Sequence, residues 1–338
     1  MKKALFQREL EQRAVQCSLC AHHCRIKPGR RGICRVRENR EGILYSLNYG
    51  RLLSENIDPI EKKPLFHLLP SSLSYSISTV GCNFHCRHCQ NYEISQYPAR
   101  NNDEIPGPIR TPEQVVAAAR DGGCSSISYT YVEPTIFYEF ALDTAKAAHQ
   151  AGILNVMVSN GYMGPEATRE LVPWLDADNI DLKAFTDRFY REVCGARLQP
   201  VLDNIILMHQ LGIWLEITTL VIPGWNDSEA ELREIAQFLA SISTDIPWHL
   251  SRFWPTYQMR DRPPTPPETL RRAREIGEEA GLNYVYLGNL QSREGEDTIC
   301  PQCQTVLVAR HGFLVTENRL RDGACPNCST PIAGRWHI

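Results

Sequence analysis

Three cysteines spaced C-x3-C-x2-C stand in Cys82-Asn83-Phe84-His85-Cys86-Arg87-His88-Cys89, directly after the strand-like run Tyr75–Val80. This group constrains the chain more than any other feature, because it fixes a metal-binding loop to the end of one strand. Three thiolates can hold three irons of a 4Fe–4S cluster and leave the fourth iron without a protein ligand. Zinc held by the three cysteines plus His85 or His88 is the competing use of the same residue types.

The chain contains 13 cysteines. Eleven of them fall into three tight groups, which reads as metal binding in a reducing compartment rather than as a disulfide framework. The first group, Cys17, Cys20, Cys24 and Cys34, is spaced C-x2-C-x3-C-x9-C, with a Pro28-Gly29 turn before its last member. Four soft ligands in so short a segment describe a closed site that folds with its metal. That metal is zinc or a second 4Fe–4S cluster; zinc is favoured here because the segment shows no route for electrons. The last group pairs Cys300-Pro-Gln-Cys303 with Cys325-Pro-Asn-Cys328, the knuckle pattern of a zinc ribbon, for which a rubredoxin-like iron is the alternative. Cys124 and Cys194 read as small buried apolar residues.

With 338 residues, 43% of them hydrophobic, the chain can bury one large core with small appendages. No apolar run approaches the ~18 residues that span a bilayer, and Met1–Glu9 has no apolar stretch of a signal peptide, so a cytoplasmic protein without a membrane role is expected. The net charge is −3, yet residues 1–63 hold 14 Lys and Arg against 7 Asp and Glu. A solvated basic face is the ordinary reading, and a surface for RNA or an acidic partner the other.

From Ser74 onward, strands alternate with helices. Strands are expected at Tyr75–Val80, Ser126–Tyr131, Leu154–Ser159, Ile180–Leu182, Trp214–Val221, His249–Phe253 and Tyr284–Leu287. Helices are expected at Pro112–Arg120, capped by Thr111, at Ile136–Ala151, from Pro165, before Leu211, at Glu229–Ser241 and at Glu268–Ala280. This pattern implies βαβ units and a parallel sheet. The fold class expected is α/β, a partial (β/α)6 barrel with a cysteine-rich module before it and a zinc-ribbon-like module after it. The boundaries expected are 1–66 for the four-cysteine module and linker, 67–290 for the barrel and 291–338 for the ribbon.

Functional groups of a parallel barrel gather at the carboxyl ends of its strands. Here those ends carry the cysteine loop, Tyr131-Val132-Glu133-Pro134, Ser159-Asn160-Gly161, Asp181-Leu182-Lys183, Pro223-Gly224-Trp225 and Phe253-Trp254-Pro255. Over residues 74–255 these features resemble the radical S-adenosylmethionine superfamily, and its glycyl-radical-enzyme-activase branch in particular. The resemblance implies that Cys82, Cys86 and Cys89 bind the 4Fe–4S cluster and that S-adenosylmethionine chelates the open iron. It places His88 against adenine and Glu133 at the cofactor's amino group. It sets Asn160, Asp181 and Lys183 around the ribose and methionine moieties. Tyr131 and Val132 stand where that branch has two glycines. With the terminal cysteine modules and Asp58-Pro59-Ile60-Glu61-Lys62-Lys63-Pro64, the whole chain resembles the AmmeMemoRadiSam-system radical enzyme family.

The activity implied is reductive cleavage of S-adenosylmethionine to a 5′-deoxyadenosyl radical that abstracts hydrogen from an unidentified substrate. A glycyl radical enzyme activase of the pyruvate formate-lyase-activating type is one alternative. A zinc-stapled nucleic-acid-binding protein is another. The partners expected are a one-electron donor protein and a protein or RNA substrate, or partner proteins of the same system.

Overall fold

The computed structural model describes residues 1–290 and 292–337. Its centre is an eight-stranded sheet: β1 (Ser54–Pro59), β2 (Leu73–Ser78), β3 (Ser126–Tyr129), β4 (Leu154–Ser159), β5 (Ala177–Asp181), β6 (Trp214–Val221), β7 (Trp248–Arg252) and β8 (Val285–Gly288). Neighbours in the sheet are neighbours in sequence; β2 to β8 run parallel and β1 pairs antiparallel with β2. β1 and β8 are the two edges, so the barrel is partial.

Six helices cross between the parallel strands: α1 (Pro112–Asp121), α2 (Tyr138–Gln150), α3 (Pro165–Leu171), α4 (Gln199–Gln210), α5 (Glu229–Ile242) and α6 (Pro267–Glu279). Six strand–helix units followed by a seventh parallel strand account for the expected pattern. Their starts follow local chemistry. Thr111 and Gln114 form a reciprocal capping box with proline at the first helical position of α1. Ser228 caps α5 by accepting the Glu231 N–H. All four residues of β3 are buried, as a strand covered on both faces requires.

Several boundaries differ from expectation. β3 stops at Tyr129 because Tyr131 adopts a left-handed φ of 62°, which ends an extended chain. β5 begins at Ala177, three residues before the expected start. The segment expected as linker supplies β1; its polar sequence suits an edge strand with two exposed residues in its middle. Beyond β1, Ile60, Leu65 and Leu68 pack on Val156 and Ala177 and close the amino-terminal end of the barrel.

Residues before β1 form two small antiparallel sheets on the carboxyl ends of the strands. Leu19 O accepts the Gly164 N–H at 2.8 Å, and Tyr162 O accepts the Ala21 N–H at 3.1 Å. Beneath them lies a buried ion pair, Arg37–Glu139 at 2.9 Å. Val15, Cys17 and Ile26 belong to the same apolar core as Ile136 and Phe137.

The last three strands, Thr298–Ile299, Val306–His311 and Leu314–Asn318, form a ribbon at the opposite end. Its own core joins the barrel through Phe66, Tyr284 and Tyr286. His67 Nδ1–H donates to the Ala333 carbonyl at 2.6 Å, so Nε2 accepts the Tyr286 hydroxyl at 2.6 Å. Buried Arg310 donates to Phe66 O at 2.8 Å. Among the described residues, no helix is long and apolar enough to cross a membrane.

Candidate active site

The cysteine loop leaves β2 at its carboxyl end and folds against the turn Tyr190–Cys194. His85 N–H donates to Cys194 O at 2.8 Å, and Arg87 N–H to Val193 O at 3.0 Å. Cys86 is buried; Cys82 and Cys89 are partly so. Cys82 Sγ accepts the Phe84 N–H at 3.4 Å, and Cys89 Sγ lies 3.3 Å from Ser95 Oγ. The Cys194 thiol hydrogen-bonds that of Cys86, which holds Cys86 below its ordinary value, with Lys183 acting in the same sense. Burial pushes the Cys82 thiol well up, and the nearby Glu133 carboxylate adds to it.

Glu133 follows β3. Its Oε2 accepts the Asn160 N–H at 2.7 Å, and its Oε1 accepts the Thr135 N–H at 3.2 Å. Burial raises this carboxyl, and those donors oppose the rise. Asn160, after β4, donates from Nδ2 to Asn83 Oδ1 at 2.8 Å, which ties the end of β4 to the cysteine loop. Lys183, after β5, donates to Asp181 at 2.8 Å. Burial works against its charge, but Asp181 and Cys86 hold it well above its ordinary value. The Lys183 backbone is held in turn: its N–H donates to Tyr190 Oη at 3.1 Å, and its carbonyl accepts Asn226 Nδ2–H at 2.6 Å. His88 is buried with its ring 5.9 Å from that of Phe189. Burial first, and Lys183 second, bring it down to about 3, so it is a neutral ring near pH 7.

All eight residues singled out in the sequence for this site therefore lie at the carboxyl ends of β2 to β5. Lys183 links them electrically, since its charge acts on Cys86, Cys89, His88 and Glu133. Sequence reasoning missed Asn83, Thr135, Tyr190 and Asn226, and it took Cys194 for a buried apolar residue. Cys194 is fully buried, but against Cys86. It missed Asp178 on β5 as well, whose Oδ2 accepts from Ser159 Oγ at 2.8 Å and whose carboxyl burial raises well above the usual range. Asn83 sits inside the cysteine motif and so had a local signal; the others are brought in by tertiary structure.

Tyr131 takes, without a glycine, the left-handed backbone that glycine adopts at little cost. Its hydroxyl donates to Asp58, and Lys63 Nζ lies 4.7 Å from its ring centroid. Burial opposes ionisation of Asp58, but hydrogen bonds from Lys62 and Lys63 hold it below the usual carboxylate range. The Asp58-to-Pro64 motif thus props the segment that delivers Glu133.

The donor set can be tested against a cluster and its ligand. The thiols of Cys82, Cys86 and Cys89 do not all lie within 4.8 Å of one another, whereas those of Cys300, Cys303, Cys325 and Cys328 do. A spread triple suits separate irons better than one ion. Asn83 Nδ2, His88 Nδ1 and Asp178 Oδ1 are buried without protein partners, as groups that await a polar ligand would be.

Residues 76–239 match the Radical SAM superfamily. The chain is 47% identical to uncharacterized protein MJ0808 of Methanocaldococcus jannaschii over 314 residues, 93% of this chain and 92% of that one. It is 22% identical to the pyruvate formate-lyase 1-activating enzyme of Escherichia coli, across 61% of this chain and 89% of that enzyme. It is 27% identical to the isethionate sulfite-lyase activating enzyme of Nitratidesulfovibrio vulgaris, spanning about half of each (48% and 53%). Streptococcus suis SuiB, solved with its precursor peptide SuiA, shares the fold with a TM-score of 0.52 at 15% identity, across 68% of this chain and 51% of that one. Residues 76–239 are a radical SAM superfamily domain. The protein is a radical SAM enzyme, a class that works with a 4Fe–4S cluster and S-adenosylmethionine.

Proposed function

We propose that Cys82, Cys86 and Cys89 hold the site-differentiated cluster and that S-adenosylmethionine lies across the ends of β3 to β5. The observation that supports this most is the chain of contacts from the cysteine loop through Asn83 and Asn160 to Glu133, with the Asp181–Lys183 pair beside Cys86. When bound, the 4Fe–4S cluster and S-adenosylmethionine would supply one-electron cleavage of the latter and, through it, hydrogen abstraction from substrate. Glu133, aimed by Thr135 and Asn160, would accept from the cofactor's amino group. His88, buried and neutral, would lie against adenine. Lys183 offsets thiolate charge and is kept protonated by Asp181. Burial of these groups keeps water from the reacting atoms.

The substrate and the external one-electron donor are further proteins in this reading. The kinship with activating enzymes supports a narrower version, in which the substrate is a backbone glycine of a partner enzyme. Anaerobic reconstitution with S-adenosylmethionine and a chemical reductant should yield 5′-deoxyadenosine. A partner glycine would appear as a glycyl-radical signal in electron paramagnetic resonance of the mixture. No deoxyadenosine from a protein carrying its full iron complement would refute the site.

We further propose that the C-terminal quartet binds structural zinc. Cys300 to Cys328 and Cys303 to Cys325 each measure 3.6 Å between sulfurs. With zinc–sulfur bonds of ~2.3 Å, a tetrahedron sets its thiolates about 3.8 Å apart. The proposed domains are 1–66, 67–290 and 291–338, with β1 lent by the first to the sheet of the second.

A further inference from the structure

The N-terminal quartet is built differently. Cys17, Cys20, Cys24 and Cys34 line a small pocket, about 20 Å³, between the small sheets and the barrel, and Asn83 and Thr135 line its barrel side. Both of those residues also serve the active site: Asn83 follows Cys82, and Thr135 holds Glu133. No three of the four thiols lie within 4.8 Å of one another, in contrast to the C-terminal quartet. A single tetrahedral ion would draw all four together. A four-iron cluster keeps its thiolates apart, because each binds a different metal atom.

A second feature of the cavity points to an anionic occupant. Arg37 lines it and is 2% exposed. Two of its nitrogens are satisfied by Glu139 and by Leu5 O, and its Nε has no partner. A buried donor left over beside four thiols suits a sulfide or thiolate sulfur of a negatively charged cluster. The cavity also abuts the cysteine triad. His22 Nε2–H donates to the Asn83 carbonyl at 2.8 Å. Gly81, at φ 98° directly before Cys82, runs so close to Cys34 that an added Cβ would lie 2.8 Å from the Cys34 carbonyl oxygen.

We propose that Cys17, Cys20, Cys24 and Cys34 bind a second 4Fe–4S cluster, with Arg37 as its buried counter-charge, that relays single electrons to the Cys82/Cys86/Cys89 site. Four protein thiolates leave no iron open to substrate, so its chemistry is electron exchange without bond making. One electron enters from a low-potential carrier, a reduced flavin or iron–sulfur protein, and one electron leaves toward the triad. The relay rests on the radical reading given above; the identity of the metal does not.

Iron and zinc counts on the anaerobically reconstituted full chain decide it, alongside the Cys82→Ala/Cys86→Ala/Cys89→Ala variant. The expected result is about eight irons and one zinc per chain in the native protein, and about four irons with an iron–sulfur absorption band in the variant. About four irons and two zincs in the native protein, with iron lost in the variant, would overturn the proposal. About four irons in both would keep this cluster and sink the triad's instead. Arg37→Gln gives a second readout by redox titration followed by electron paramagnetic resonance. Loss of the positive charge should move the midpoint of the cluster retained in the triple variant to more negative potential. An unmoved midpoint would remove Arg37 from the assignment.

Discussion

The two four-cysteine modules cap opposite ends of one sheet, and their ligands are identical in kind. The C-terminal thiols converge within 4.8 Å, in a ribbon with its own small core, at the amino-terminal end of the strands, away from the cysteine triad. The N-terminal thiols stand apart around a cavity, share the barrel's main core and abut the residues that hold Glu133 and Cys82. The difference teaches that residue type and spacing name a metal site, while its place relative to the strand ends decides its use. In the reading proposed here the quartet at the closed end is a staple, and the quartet at the open end adjoins the reaction.

The comparison breaks most sharply through the site itself. Cys86→Ala should lower 5′-deoxyadenosine formation by about three orders of magnitude or more, while leaving the ribbon's zinc in place. Retained cleavage with a normal cluster would end the reading of the carboxyl end as the reactive one. The next largest effect belongs to the other end. Cys325→Ser should forfeit metal-binding energy on the order of 10 kcal/mol and open residues 298–337 to limited proteolysis. Iron loading of the triad should be unchanged; a parallel loss would mean that the two ends are not independent.

A third test concerns how tightly the N-terminal module is fused to the barrel. Arg37→Met leaves Glu139 buried without its partner and should cost about 3–5 kcal/mol in denaturant unfolding. Adding Glu139→Met should recover much of that loss, and a single-variant cost near zero would show the module to be loosely docked. The mildest effect is one of pH at the ribbon. Burial lowers His67 from an ordinary 6.5 to about 4, so the unfolded chain takes up the proton first. Its contribution is complete above pH 6.5 and is lost as pH falls toward 4, by about 3 kcal/mol at most. Trp336, packed 5.2 Å from His67, should report the release in fluorescence, and His67→Phe should flatten the profile.

Local signals carried far in this sequence. The runs Leu154–Ser159 and Trp214–Val221 are strands with the bounds expected, and Thr111 caps α1 as its spacing implied. That the cysteine loop, Glu133, Asn160, Asp181 and Lys183 stand at strand ends was legible from the alternation of strands and helices; the role of each comes from the family resemblance and is proposed above. What was not legible depends on long-range contacts. His22 meets Asn83 across 61 residues, and no pattern in either segment announces it. Cys194 looked isolated because its partner, Cys86, lies in another unit of the barrel. The strand β1 was hidden by Ser54-Glu55-Asn56, whose polarity reads as linker until Leu73–Ser78 supplies the ladder.

The bond between His67 and Ala333 spans 266 residues, and that separation orders events during synthesis. The plug at residues 60–72 is made early, before seven of the eight central strands exist. Its outer surface, Phe66 and His67, waits uncovered until the final ribbon has emerged and folded over it. A nascent chain halted after β8 would carry a finished catalytic end and an unfinished floor, with Tyr284 and Tyr286 exposed to solvent. With zinc in the ribbon, as proposed above, supply of that metal would set when the newly made barrel becomes complete, independently of the supply of iron and sulfide.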